Sequence, residues 1–181
     1  ATKKEDYTTY TTTDQVNDAI SWISSLGETP WLCWMAFNAP HSPFHEPPAA
    51  LAPEGGFSTG NGNAGKYIRT LEALDTEINR LLESLDLDKT NVILMGDNGT
   101  PSQVAQAPFS SDHAKGEIYQ GGVHVPMVIS GPDVAIDGGS VSRKLVNSVD
   151  LFSTILELCG MKISTATSEV DHIDSKSLVP I

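Results

Sequence analysis

Short continuous apolar runs alternate with segments of helical periodicity along this 181-residue chain. That alternation predicts an α/β fold, a sandwich with a largely parallel central sheet flanked by helices. Three observations carry the prediction. The runs Trp31 to Phe37 (WLCWMAF), Asn91 to Met95 (NVILM) and Val125 to Ile129 (VPMVI) are too short for typical helices and read as buried strands. Lys66 to Leu85 repeats Ile68, Leu71, Leu74, Ile78, Leu81, Leu82 and Leu85 at helical spacing. The first two runs each stop at a loop rich in polar residues or proline, the end of the strand where open α/β sheets bind ligands.

The elements follow in chain order. Ala1 to Thr13 is polar and Thr-rich and reads as an extended lead-in. Thr13 or Asp14 then caps a helix through Leu26, with Val16, Ile20, Trp22 and Ile23 inward and Gly27 ending it. Trp31 to Phe37, after Pro30, fits a strand buried on both faces. Four prolines in Asn38 to Pro48 (NAPHSPFHEPP) exclude regular structure and hold His41 and His45 on a constrained loop. Ala49 to Gly65, rich in Gly, Asn and Pro, is long enough for a lid or for a substrate-facing insertion. The strand Val125 to Ile129 is closed by Ser130-Gly131-Pro132. Val149 to Leu158 forms a helix with Leu151, Ile155 and Leu158 inward and Asp150 as a first-turn acid.

The length suits one domain, 1–181, large enough to bury a core. A net charge of −12 and a pI near 4.6 argue against nucleic acid or an anionic membrane as partner, because both need basic surface. An anionic substrate would need a local cation or a metal. No apolar run approaches transmembrane length, and the N-terminal stretch has no signal-peptide core. Cys33 and Cys159 form neither a disulfide framework nor a zinc pattern and read as buried small hydrophobes.

Candidate chemistry concentrates between Asn91 and Pro126. Asp97 and Asn98, just past a strand, offer hard oxygen ligands suited to Ca²⁺ or Mg²⁺. The same Asp-Asn-Gly is also a turn sequence. Lys115 could set a cation against an anionic substrate. His113, two residues earlier, is either a further group of the site or a loop residue.

The ordered set Gly96-Asp97-Asn98-Gly99, Lys115-Gly116, Gly121-Gly122 and Val125-Pro126, preceded by Pro40-His41-Ser42-Pro43, resembles the sulfatase family of the alkaline-phosphatase superfamily. Val146 to Gly160 and Asp174 to Leu178 extend the resemblance over nearly the whole chain, as the middle-to-late part of a catalytic domain. It implies an alkaline-phosphatase-like sandwich and metal-assisted hydrolysis of the sulfate ester of a small molecule or carbohydrate. By it, Asp97 and Asn98 are half of a Ca²⁺ site, with Mg²⁺ as the other cation considered. Lys115 and His41 clamp the sulfate, and His41 protonates the leaving oxygen. The family's formylglycine motif, Cys or Ser-x-Pro-x-Arg, does not occur in these residues, nor does its opening Asp-Asp pair. The N-terminal part of the domain is therefore expected to be missing and the chain inactive alone. Departures are His124 for Arg, Gln120 for Glu and Ser153 for Pro. An uncovered sheet edge would favour a homo-oligomer, and the resemblance favours a periplasmic or extracellular location. Two alternatives stand beside this reading. One is a phosphate or phosphonate ester hydrolase of the same superfamily, though those commonly have His where Asn98 stands. The other is a non-catalytic anion-binding or assembly module.

Overall fold

The computed structural model describes residues 8–134, 138–161 and 173–180. Residues 1–7 of the expected lead-in lie outside them. In chain order the elements are α1 (Thr11–Ser25), α2 (Gly62–Glu83), β1 (Val92–Met95), α3 (Gln120–Val123), β2 (Met127–Ser130) and α4 (Asp150–Leu158). Short 3-10 turns lie at Ala49–Leu51, Ser102–Val104 and Ser111–His113. Helix and sheet are mixed, as the alternation predicts. The chain forms two compact units, Ala1–Leu85 with Asp97–Val125, and Asp86–Gly96 with Pro126–Ile181.

In the first unit α1 lies on α2. Thr12, Val16 and Ala19 are the buried positions of α1, and Gly65, Thr70, Ala73 and Glu77 those of α2. Thr12, Val16 and Ala19, and likewise Thr70, Ala73 and Glu77, recur every three or four residues and so share one face of their helix. The face of α2 is not the leucine stripe that periodicity selects. Leu71 is exposed, and Ile68, Leu74, Ile78, Leu81 and Leu82 are half-buried. A carboxylate occupies the centre instead. Glu77 Oε1 accepts from Thr13 Oγ1 at 2.6 Å, and Glu77 Oε2 accepts from Arg80 Nε at 2.8 Å. A buried carboxylate is tolerable only when charge-paired and hydrogen-bonded, and Glu77 is both.

That seam also moves the start of α1. Thr13 spends its hydroxyl on Glu77 rather than on a cap, and Asp14 N–H already closes the first turn on Tyr10 O at 3.0 Å. The helix therefore begins at Thr11, within the stretch expected to be a lead-in. Ile20 and Ile23 are half-buried, while Trp22 stays exposed and meets Trp31 edge-on at 6.5 Å.

Trp31 to Phe37 departs from the expected strand. It joins no ladder among the described residues, and its side chains alternate between half-buried and exposed instead of being buried on both faces. Leu32 and Trp34 are 61% and 85% exposed, while Trp31, Cys33, Met35 and Phe37 are half-buried. An apolar run becomes a strand only where its backbone finds a partner. Here the side chain of Gln15 donates to Ala36 O at 2.9 Å. Cys33 is half-buried, and burial pushes its thiol up. Cys159, expected inside, is exposed just past α4.

The ladder found among the described residues, β1 with β2, belongs to the second unit and is antiparallel, pairing Val92 with Ser130 and Met95 with Met127. The alternation predicted a largely parallel sheet, and mixed sheets commonly carry such a pair. β2 starts at Met127 rather than Val125 because Pro126 has no N–H for the ladder. Pro126 contributes its carbonyl, which accepts from Gly96 N at 3.0 Å. In α4 the most buried residues are Ser153 and Thr154, with Leu151, Ile155 and Leu158 half-buried. The segment at Ser175 explains this: Ser153 N–H donates to Ser175 Oγ at 3.0 Å and Leu178 N–H to Thr154 Oγ1 at 2.9 Å. Asp150 is the expected first-turn acid. It accepts from Lys176 N at 2.9 Å and Asn147 N at 3.0 Å, and these bonds hold its carboxyl below the usual carboxylate range.

One close approach shapes the first unit around residues 99–122. Gly99 N–H donates to Gly122 O at 3.0 Å. A Cβ on Gly99 would fall on the Gly121 carbonyl oxygen and come within 2.7 Å of Gly122 Cα. The obstacle is backbone, which yields far less readily than a side chain tip.

Three outcomes follow. Glu77→Ala, which strips Thr13 and Arg80 of their acceptor, should cost about 1–3 kcal/mol in urea unfolding; a change under about 0.5 kcal/mol would remove the seam's role. Gly99→Ala should cost about 1–3 kcal/mol by the same measurement, and wild-type stability would mean the two backbones do not touch in solution. Asp150 has a lowered native pKa, so its contribution is present above the ordinary carboxylate value near about 3.9 and is lost as pH falls through the lower native value. The deficit of Asp150→Asn against wild type should accordingly be seen at pH 7 and shrink as the pH falls below the ordinary carboxylate value. A pH-independent deficit would contradict this.

Candidate functional site

The sequence-predicted site residues lie on two loop systems of the first unit, and α2 touches both. On one side is the proline-rich loop. His41 N–H donates to Asn38 O at 2.8 Å, and His41 Nδ1 lies 2.8 Å from Ser42 O. A carbonyl only accepts, so Nδ1 carries the proton in that bond and Nε2 is left for other partners. His41 is exposed. His45, for which the sequence suggests no role, is a structural residue: its Nδ1 lies 3.0 Å from Pro43 O and its ring meets Tyr10 edge-on at 5.7 Å.

Helix α2 meets this loop through two side chains, Thr70 and Arg69. Thr70 Oγ1 donates to Lys66 O at 2.8 Å and reaches His45 O at 3.4 Å. Arg69 binds both oxygens of Glu46, Nε to Oε2 and Nη2 to Oε1, each at 2.7 Å. The guanidinium holds the Glu46 carboxyl below its usual range. The loop Ala49 to Gly65, open between lid and insertion in sequence, is strapped to the same helix. Leu51 O accepts from Thr76 Oγ1 at 2.9 Å, and Gly60 O from Arg69 Nη1 at 2.9 Å. Glu72 accepts from the N–H and hydroxyl of Ser58. Its last residues, from Gly62, are already helical.

On the other side α2 packs against the turn Ser102–Val104, whose Val104 is buried. This turn belongs to the loop that leaves Asp97 and Asn98. Both residues are exposed, and Asn98 Nδ2 donates to Gly99 O at 3.1 Å, which leaves its Oδ1 as the outward acceptor. The Gly99 contact with Gly122 and the bond from Lys115 N to Thr100 O at 2.9 Å bring the Asp97-Asn98 segment and the Lys115 segment side by side. Lys115 is exposed and enters no ion pair among the described residues. Asp97, Asn98 and Lys115 are thus on joined segments, while His41 stands on the separate loop that α2 supports.

His113 closes the 3-10 turn and stacks on Tyr119, with ring centroids 3.6 Å apart and planes inclined by 30°. The pair borders a hollow of about 360 Å³ lined also by Phe109, Ser110 and Gln120. A hollow of about 370 Å³ lined by Pro53, Leu71, Glu72 and Asp75 contains none of the candidate residues. The sequence reading missed Arg69, Thr70 and Glu72; their polar spacing on α2 reads as a solvated face. It also missed Gln120 and Gly121 as helix, since two glycines favour a loop, whereas α3 uses them because side chains would collide with His113 O and Glu117 O.

The donors at Asp97 and Asn98 are carboxylate and amide oxygens, which fit a hard cation in kind. No group of three or more His, Cys, Asp or Glu gathers for a metal among the described residues, so the pair fits such an ion as part of a larger ligand set.

The Sulfatase family model matches residues 1–161. The chain is 28% identical over 178 residues to an uncharacterized sulfatase, YdeN, of Escherichia coli (strain K12), covering 92% of this chain and 30% of that protein. It is 30% identical over 162 residues to N-acetylgalactosamine-6-sulfatase of Homo sapiens, covering 83% and 28%. Among solved structures, the crystal structure of Ps i-CgsB is similar at a TM-score of 0.82 and 25% identity, over 98% of this chain and 39% of that one. Its complex with k-i-k-neocarrahexaose is similar at 0.81. The chain therefore spans under a third of the length of these curated relatives. Sulfatases are generally metal-dependent. With the family match running through residue 161 and the fold shared along almost the entire chain, this chain belongs to the sulfatase family and its α/β fold is alkaline-phosphatase-like.

Proposed function

We propose that the protein carrying this chain hydrolyses sulfate esters of a carbohydrate, with His41, Lys115, Asp97 and Asn98 as this chain's share of the machinery. The observation that carries the reading is the pair of backbone bonds, Gly99 N–H to Gly122 O and Lys115 N–H to Thr100 O, which join the oxygen-donor segment to the cation segment. The carbohydrate is supported by the hexasaccharide bound to Ps i-CgsB and by the amino-sugar sulfatase among the relatives.

Each residue has a task set by its chemistry. The ammonium of Lys115 is a compact cation that offsets negative charge on the sulfuryl oxygens as the ester bond breaks. His41, with Nδ1–H tied to Ser42 O, presents Nε2 and, as the imidazolium, gives its proton to the departing alcohol oxygen. Asp97 Oδ and Asn98 Oδ1 would hold Ca²⁺, or Mg²⁺, with further ligands from water or other residues. When bound, that ion supplies Lewis-acid polarisation of the sulfuryl oxygens. In a chain of net charge −12, these local positive charges are what make an anionic substrate acceptable. The 181 residues do not contain the family's nucleophile motif, so their role is binding, charge neutralisation and proton donation.

The test is turnover of an aryl sulfate and a sulfated oligosaccharide by the full protein carrying this chain, with the matching phosphate ester as comparator. Sulfate release is expected, falling about 10²-fold or more in His41→Ala and lost on chelation, with Ca²⁺ restoring it. Faster release from the phosphate ester would favour the phosphohydrolase alternative. No turnover of either ester would favour the anion-binding module.

A further inference from the structure

We propose that Arg69 is a positioning residue for His41, one guanidinium that sets where the imidazole stands by clamping two loops to α2. The inference rests on the reading of His41 as the proton donor, and it assigns that histidine a support outside the sulfate site. Arg69 makes the bidentate bond to Glu46 at 2.7 Å twice, and its remaining nitrogen bonds Gly60 O at 2.9 Å with Ser58 O at 3.4 Å. Its side chain is only 14% exposed, whereas Glu46 is 56% exposed. The fork is therefore held by the helix, and the loop comes to it.

The chain between clamp and histidine is short and stiff. Glu46 follows His41 by five residues, with Pro43 between them and Pro47-Pro48 directly after. Proline fixes φ, so a constraint at Glu46 is carried back toward His41 rather than absorbed. The edge-on contact of the His45 ring with Tyr10, centroids 5.7 Å apart, holds the same span at a second point. An exposed ion pair contributes little to global stability. What the planar fork adds is direction, since two parallel bonds fix the angle as well as the distance of the carboxylate. Lysine keeps the charge and loses that geometry.

The experiment compares Arg69→Lys, Arg69→Ala, Glu46→Ala and the Glu46→Ala/Arg69→Ala double variant in the full protein. Two quantities are read: kcat and KM on an aryl sulfate, and the histidine Cε1–H NMR signals, with His41 assigned through His41→Ala. A displaced reacting group costs up to about 10²-fold in rate. Arg69→Lys and Arg69→Ala should both lower kcat by about tenfold or more with KM within about twofold, and the double variant should be no worse than Arg69→Ala. The His41 signal should shift in all four while those of His113 and His124 do not. A merely structural role would lower the unfolding midpoint and leave kcat per folded molecule and the His41 signal as in wild type. Wild-type kcat in Arg69→Lys, additive losses in the double variant, or an unmoved His41 signal would each overturn the proposal. Should the protein release no sulfate, the functional reading fails, and the NMR signal alone decides the clamp.

Discussion

A single backbone approach, Gly99 against Gly121 and Gly122, is the constraint on which the candidate site depends. Glycine is required there for space and not for an unusual backbone angle. The three residues carry no positive φ, yet a methyl group on any of them would meet a carbonyl oxygen. Because two backbones touch, the Gly99 N–H can reach Gly122 O and the Lys115 N–H can reach Thr100 O. The carboxylate-amide pair on one segment and the ammonium on the other are consequently placed by main-chain bonds, which shift less than side-chain contacts do.

Helix α2 is the second organising element, and its polar residues matter more than its leucines. Inward it buries Thr70, Ala73 and Glu77, and the paired carboxylate of Glu77 meets Thr13 of α1. Along its next edge Arg69, Glu72 and Thr76 bind three points of the preceding loops. The loop that could have been a mobile cover is thereby strapped down. The His41 loop is held from the same helix that packs on Ser102–Val104, so one rigid body serves both halves of the site. Sites built on a rigid element keep their geometry better than sites carried by loops alone.

Legibility in the sequence tracked how local each cause was. Gly96-Asp97-Asn98-Gly99, Lys115-Gly116 and Pro40-His41-Ser42-Pro43 were readable because turn residues, hard ligands and a loop cation announce themselves over a few positions. The helices were readable from their period, and Asp150 from its place in a first turn. What escaped was set by partners far along the chain. The start of α1 at Thr11 depends on Glu77, the burial of Thr154 on Leu178, and the roles of Glu46 and His45 on α2 and Tyr10. Trp31 to Phe37 looked like a doubly buried strand from composition, yet composition does not say whether a ladder partner stands on either side.

By itself, then, the sequence determined the α/β class, through alternating apolar runs and helical periodicity, and pointed to the family through the resemblance of its ordered motifs, which named Asp97, Asn98, Lys115 and His41 as candidates. Only the tertiary structure decided which face of α2 is inside, that the long loop is strapped, and that Arg69 joins two loops through one fork. Those outcomes turn on contacts between residues tens of positions apart, and a buried polar group is recognisable only once its partner is in place.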